Sequence, residues 1–245
     1  MFKQIEIYPG FDKSDCKEKF LRLVLKPGEV YTIVGPTGSG KTQLFEDIET
    51  LNNKEGVTKR EIIARGRAPK IAHLSQKMNY MVDMSVMEFI KVHGRCLGII
   101  DINDYAMKVL RLSNELSGEK IKAEDNLTKL SGGQSRSLMI ADVAMNRYSD
   151  IVLLDEIENA GIDRLKVLKI LIQANKLILL ITHDPLLALL GHHRIVLENG
   201  GIKKIVTRTV HEERLSEDLI ILDKQMDLAR ENLRSGGVLH NEWQL

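Results

Sequence analysis

Val30-Tyr31-Thr32-Ile33-Val34-Gly35-Pro36-Thr37-Gly38-Ser39-Gly40-Lys41-Thr42 runs from a compact β-rich segment straight into a glycine-rich loop. An amphipathic stretch from Lys41 to Leu51 follows at once. Strand, glycine loop and helix in this order open a nucleotide-binding α/β core. The loop from Gly35 to Thr42 fits the phosphate-binding pattern at every constrained position. Its glycines let the backbone curl so that successive N–H groups point inward at phosphate oxygens, and the following helix adds its positive end. In such a loop Gly35, Pro36, Thr37, Gly38, Ser39 and Gly40 wrap the phosphates. Lys41 reaches the β- and γ-phosphates, and the Thr42 hydroxyl binds magnesium.

Working outward, Ile5, Ile7 and Phe20 to Leu25 read as short N-terminal strands, with Lys26-Pro27-Gly28-Glu29 as the turn before Val30. Asn52 to Lys70 is charged and poorly periodic, and a strand is expected from Lys70 to Leu74. From Met78 to about Ser117 apolar residues recur at helical spacing, which predicts an inserted helical subdomain. Ile151 to Leu154 and Leu177 to Ile181 are continuous apolar runs suited to parallel strands covered on both faces. The stretch from Asp163 to Asn175 has the length of a crossover helix between them. The strand at Ile151 ends in two carboxylates, Asp155 and Glu156. In phosphate-loop enzymes the first such carboxylate holds the magnesium shell, and a second beside it orients or polarises the attacking water.

Leu130-Ser131-Gly132-Gly133-Gln134 narrows the assignment. With this pentapeptide the sequence resembles the ATP-binding cassette (ABC) ATPases, and the order of motifs supports the resemblance from about Phe11 to Asn199. The resemblance implies a phosphate-loop NTPase (RecA-like) α/β core with an antiparallel β subdomain and an inserted α-helical subdomain. It divides the chain into a first part of the core at 1–77, a helical subdomain at 78–136 ending in the signature, a second part of the core at 137–207, and a C-terminal helix and tail at 208–245. Gln76 falls at the family's glutamine loop, where it touches magnesium. His183 falls at the switch histidine, contacting the γ-phosphate and the water near Glu156. Glu156 and His183 are then the catalytic pair, and Thr42, Gln76 and Asp155 surround the magnesium.

The signature is expected to act in trans: Ser131, Gly132, Gly133 and Gln134 would face the γ-phosphate held by a second copy. ATP and Mg2+ are the implied cofactors, and a homodimer or paired cassette is the implied working form. An upstream aromatic residue should stack on adenine, with Phe11 at the family's usual distance and Tyr8 as the second candidate.

The pattern is broken in one place. Glu156 is followed by Ile157-Glu158-Asn159-Ala160-Gly161-Ile162-Asp163, one residue longer than the family's interface loop and without its proline, although the closing Asp163 matches. The stretch from Asp163 to His183 is also short for the family. Met78, Met81, Met84 and Met87 lie three apart where a membrane subunit docks in transporters. They suit an adaptable groove or a subdomain core equally well. His192-His193 beside Arg194 has no companion ligands, so a surface turn is expected. The segment from His211 to Arg234 reads as an amphipathic helix folded onto its own core, with a short coiled-coil seam as the other reading.

Composition is ordinary for a soluble globular protein: 43% of residues are hydrophobic and 28% charged. The net charge of +1 supplies no field for nucleic acid, and no such partner is expected. Cys16 and Cys96 make no disulfide framework, and reduced thiols are expected. No leader or membrane span is read, which points to the cytosol or the cytoplasmic face of a membrane. Two roles remain: the ATP-binding subunit of a transporter with separate membrane subunits, or an ATPase driving a cytosolic protein such as a cofactor or metallocluster maturation factor.

Overall fold

A computed structural model of the chain describes residues 1–75, 80, 82–159 and 162–238. Nine strands are found among them: β1 (Phe2–Tyr8), β2 (Leu23–Leu25), β3 (Val30–Val34), β4 (Glu61–Gly66), β5 (Ile71–Leu74), β6 (Ile151–Asp155), β7 (Leu177–Ile181), β8 (His193–Glu198) and β9 (Gly201–Thr207). The helices are α1 (Lys41–Glu49), α2 (Val86–Cys96), α3 (Ile102–Leu116), α4 (Gly132–Met145), α5 (Arg164–Gln173), α6 (Pro185–Leu190) and α7 (Val210–Arg234).

The central sheet has the order β5-β6-β7-β3-β8-β9, parallel except for the last pair. Its strands lack polar alternation because both faces are covered. Tyr31, Ile33, Leu153 and Leu179 point to one side, where they pack with Leu44, Phe45 and Ile48 of α1 and with Ile5 and Ile7 of β1. Val152, Leu154, Ile178 and Leu180 point to the other, against Ile140 of α4, Val167 and Leu171 of α5, and Leu187 of α6. Each of these side chains is fully buried, and burying one contributes about 1.5–3 kcal/mol.

A small antiparallel sheet, β2-β1-β4, lies on the α1 side. Its third strand falls in the charged stretch for which the sequence suggested no element. Only Ile62 of β4 is buried, opposite Ile7, while Arg65 at its rim pairs with Glu6. One buried side chain in six residues leaves no readable pattern.

The helices α2, α3 and the start of α4 have their own apolar cluster, built on Val86, Ile90, Tyr105, Val109 and Leu138. Met84 and Met87 pack against it, which favours the core reading for those two; Met78 and Met81 lie outside the described residues. His192 and His193 form no surface turn. His192 Nδ1 accepts the Val30 N–H at 3.0 Å. His193 begins β8 and stacks on Tyr31 at 5.1 Å.

The helix α7 packs on α6, and its Asp223 pairs with Arg164 of α5 at 2.6 Å. Ser216 is its one fully buried residue, and Arg194 pairs with Glu212 near its start. Of its apolar stripe, Leu215, Met226 and Leu233 stay exposed, while Leu219, Leu222 and Ala229 are half-buried. Cys16 and Cys96 are free and exposed. No helix among the described residues is long and apolar enough to cross a membrane.

Candidate functional site

Three strand ends meet in register. Ile33 of β3 pairs with Ile181 of β7, which pairs with Asp155 of β6. The loop Gly35–Gly40, the dipeptide Asp155-Glu156 and His183 therefore leave one carboxyl edge of the sheet side by side. Ligands of open α/β sheets bind at such an edge.

The phosphate loop is built as its sequence requires. Gly40, with φ of +93°, caps α1 and offers its backbone but no side chain to the first helical N–H groups. A Cβ there would stand 2.9 Å from the Gly200 Cα of the β8–β9 turn. A Cβ on Gly35 would stand 2.4 Å from the Leu197 carbonyl oxygen. Pro36, Thr37 and Gly38 are exposed, and so is Thr42. Lys41 is buried, its ammonium donating to the carbonyls of Gly35 at 3.0 Å and Pro36 at 3.2 Å. The Ser39 hydroxyl is buried with no hydrogen-bond partner among the described residues. An orphan hydroxyl and an uncapped helix start are what a phosphate group would satisfy.

Beyond β6 the chain turns sharply. Glu156 adopts φ of +48°, a left-handed conformation that a non-glycine residue takes only at a cost. Its side chain lies 3.4 Å from Nε2 of the half-exposed His183. Burial pushes the Asp155 carboxyl above the usual carboxylate range, and Glu156 and Glu158 push it the same way, with His73 and Lys41 opposing. Arg136 reaches in from α4 and donates to the Glu156 carbonyl at 3.4 Å. Burial lowers its guanidinium from the ordinary range, and the Asp155 and Glu158 charges oppose that shift. The sequence reading missed Arg136 and Glu158; an arginine five residues past Ser131, amid the apolar run of α4, was the available signal.

No group of three or more His, Cys, Asp or Glu side chains arranged for a metal occurs among the described residues. The donors suited to Mg2+ are the Thr42 hydroxyl and the Asp155 carboxylate, with phosphate oxygens and water completing a shell. Asp155 fits: it is a carboxylate that burial and two neighbouring carboxylates have left short of positive charge. Gln76 and the 160–161 part of the interface loop lie outside the described residues. Asp163 caps α5, its side chain accepting the Lys166 N–H at 3.0 Å.

The signature begins α4. Ser131 and Gln134 close a capping box, with the Ser131 N–H donating to Gln134 Oε1 at 2.9 Å. Ser131 and Gly132 are exposed, and a Cβ on Gly132 would meet nothing within 4 Å. The helix start therefore opens onto space rather than onto its own chain.

The segment around Phe11 rests on a buried ion cluster. Arg60 is fully buried; it donates to Glu18 at 2.7 Å, to Asp47 of α1 at 2.9 Å and to the Gly200 carbonyl at 2.9 Å. Glu18 also accepts the Gly10 N–H at 2.8 Å. This cluster ties the segment around Phe11 to α1 and to the turn that backs Gly40. Lys13 closes the gap from that segment, donating to the Gly38 carbonyl at 2.8 Å. Phe11 is half-buried under the Lys59 ammonium, 5.6 Å from its ring centre. Tyr8 is half-buried and its hydroxyl is engaged by Glu6 at 3.0 Å.

Comparison with known proteins adds the context. The family model described as ABC transporter matches residues 19–159. An uncharacterized ABC transporter ATP-binding protein of Methanocaldococcus jannaschii is 44% identical, over 98% of this chain and 96% of its own length. The macrolide export ATP-binding/permease protein of Campylobacter jejuni is 29% identical over 84% of this chain, which spans only 35% of that longer protein. Among solved structures, cbiO1 of Clostridium perfringens, part of the ABC transporter complex cbiONQ, has a TM-score of 0.62 at 20% identity, covering 96% of this chain and 100% of that one. A dimeric ATP-binding cassette in a post-hydrolysis state with ADP and Pi has a TM-score of 0.59 at 22% identity, covering 85% of this chain and 99% of that one. At these identities the two structures speak for the fold.

Proposed function

The chain belongs to the ABC transporter family as an ATP hydrolase of the cassette type, and from that membership we propose that it binds Mg-ATP between two copies arranged head to tail and serves as the ATP-binding subunit of a transporter. The observation that carries the reading is the single sheet edge on which the phosphate loop, Asp155, Glu156 and His183 emerge together.

The loop amides and the start of α1 receive the phosphates. Lys41 exchanges the Gly35 and Pro36 carbonyls for phosphate oxygens, and Phe11 lies against adenine. Thr42 and Asp155 would hold Mg2+, and the family resemblance adds Gln76 as a third contact. The ion, when bound, neutralises charge that develops on the phosphoryl oxygens. Glu156 takes the proton of the attacking water, and His183 holds the γ-phosphate and water in line beside it. From a second copy, Ser131, Gly132 and Gly133 would cap the γ-phosphate with a hydroxyl and helix-start amides, and Gln134 braces that helix start through the capping box. Asp163 closes the loop between the two sites.

A transporter role rests on the 44% identical relative and its name, and on a macrolide exporter that carries a permease in the same chain as the related segment. Two experiments test the reading. Lys41→Ala should abolish binding of a fluorescent ATP analogue; tight binding by that variant removes the phosphate-loop assignment. The tagged protein, purified from both membranes and cytosol, should bring down a membrane subunit. A partner set confined to the cytosol turns the reading toward a maturation ATPase.

A further inference from the structure

The loop after Glu156 carries a second carboxylate, Glu158, that binds the turn holding His183. Glu158 lies in the short 3-10 turn Ile157–Asn159, anchored by the buried Ile157. Its Oε1 accepts two hydrogen bonds from the far side of the site: the Thr182 hydroxyl at 3.1 Å and the His183 backbone N–H at 2.8 Å. Thr182 in turn accepts the Asp184 N–H at 3.0 Å, so the whole 182–184 turn is gathered onto one carboxylate. The His183 side chain is 49% exposed, and its Nε2 lies 3.4 Å from Glu156 Oε1. Two carboxylates thus hold one histidine, Glu156 by the ring and Glu158 by the backbone. Glu156 itself is left-handed, with φ of +48°.

We propose that Glu158 is a positioning residue for ATP hydrolysis, latching the turn after β7 so that the His183 ring stays in register with Glu156. The proposal rests on the catalytic reading of Glu156 and His183 given above. A group that merely satisfied two donors would matter to folding alone. The second oxygen of Glu158 argues for more: it is buried and has no hydrogen-bond partner among the described residues. Burying a carboxylate with one oxygen unserved is costly. The Glu158 charge acts on the guanidinium of Arg136, on the helix that the signature begins. Glu158 stands two residues past Glu156, in the loop whose sequence departs from the family's pattern.

The test is steady-state ATP hydrolysis by Glu158→Ala, Glu158→Asp and Glu158→Gln, each checked for folding by its melting temperature, with Glu156→Gln and His183→Ala beside them. A misplacement on the order of 1 Å costs about a hundredfold in rate. Glu158→Ala and the shorter Glu158→Asp should lose about ten- to hundredfold in kcat, with KM for ATP within about twofold. Glu158→Gln keeps the accepting oxygen and should restore kcat to within about threefold of the parent. Adding Glu158→Ala to His183→Ala should cost nothing further, because the latch acts through that ring. Equal losses in the Gln and Ala variants, a rise in KM that accounts for the loss, or full additivity with His183→Ala would overturn the latch. An unchanged kcat in Glu158→Ala would overturn it too, provided Glu156→Gln is inactive. If Glu156→Gln itself hydrolyses ATP, the catalytic reading beneath the latch has failed instead.

Discussion

Replacing Arg60 by Met isolates two buried carboxylates. Arg60 has no exposed side-chain surface, and Glu18 and Asp47 retain 1% and 2% of theirs. The substitution removes the hydrogen bonds to Glu18 and Asp47 and the one to the Gly200 carbonyl. It roughly preserves the length of the apolar stem. Breaking a buried pair from one side costs about 3–5 kcal/mol, because the remaining charges stay desolvated. For a domain of this size each kcal/mol shifts the melting temperature by about 2–4 °C, so a fall of roughly 6–20 °C is expected. Thermal melts by circular dichroism, paired with urea titrations, read both quantities. The triple variant Arg60→Met, Glu18→Gln, Asp47→Asn should recover part of the loss, since no charge is then left stranded. A melting temperature within about 1 °C of the parent would refute the account. A triple variant that falls by the sum of further losses would refute the claim that stranded charge is the cause.

Two further outcomes follow from the site and its support. Gly40→Ala places a Cβ at a left-handed position, 2.9 Å from the Gly200 Cα. The conformation alone costs about 1–2 kcal/mol, so ATP affinity should fall by about tenfold or more; unchanged affinity by nucleotide titration contradicts the loop geometry. In the helical subdomain, the Asp142 carboxylate 2.7 Å from His93 Nδ1 holds the imidazole above its ordinary value of 6.5, against burial. A raised folded value means that the tie is fully present below about pH 6.5 and is lost as pH rises through the folded value. The melting-temperature gap between the parent and His93→Gln should therefore be larger at pH 6 than at pH 9. An equal gap at the two pH values removes the role assigned to this pair.

The site's chemistry was legible where it is local. The phosphate loop, the carboxylates ending β6 and the signature are short strings whose spacing alone dictates backbone shape, and the structure brings the first two to one edge. What escaped is what depends on partners distant in the chain. Arg60 looks like an ordinary charge in a charged stretch until Glu18 and Gly200 close around it from 42 and 140 positions away. β4 carries one buried residue and becomes a strand only beside β1. The alternation of β8 is masked by His193 and Arg194, which look polar but pack on Tyr31 and Glu212. Glu158 could be seen as an oddity of the loop, whereas its two hydrogen bonds require β7 to lie beside β6. The α7 stripe is periodic in sequence, yet only Leu219, Leu222 and Ala229 of it are half-buried, while Leu215, Met226 and Leu233 remain exposed.

The central claim is ATP hydrolysis between two cassettes, with Glu156 as the group that activates water. Size-exclusion chromatography with light scattering on Glu156→Gln, with and without ATP and Mg2+, tests it most directly. Binding should persist while turnover stops, so the variant should run as a single chain alone and at twice that mass with Mg-ATP. The dimer should disperse when Ser131→Arg is added to block the signature. A Glu156→Gln protein that saturates with Mg-ATP and still runs as a single chain would contradict the account.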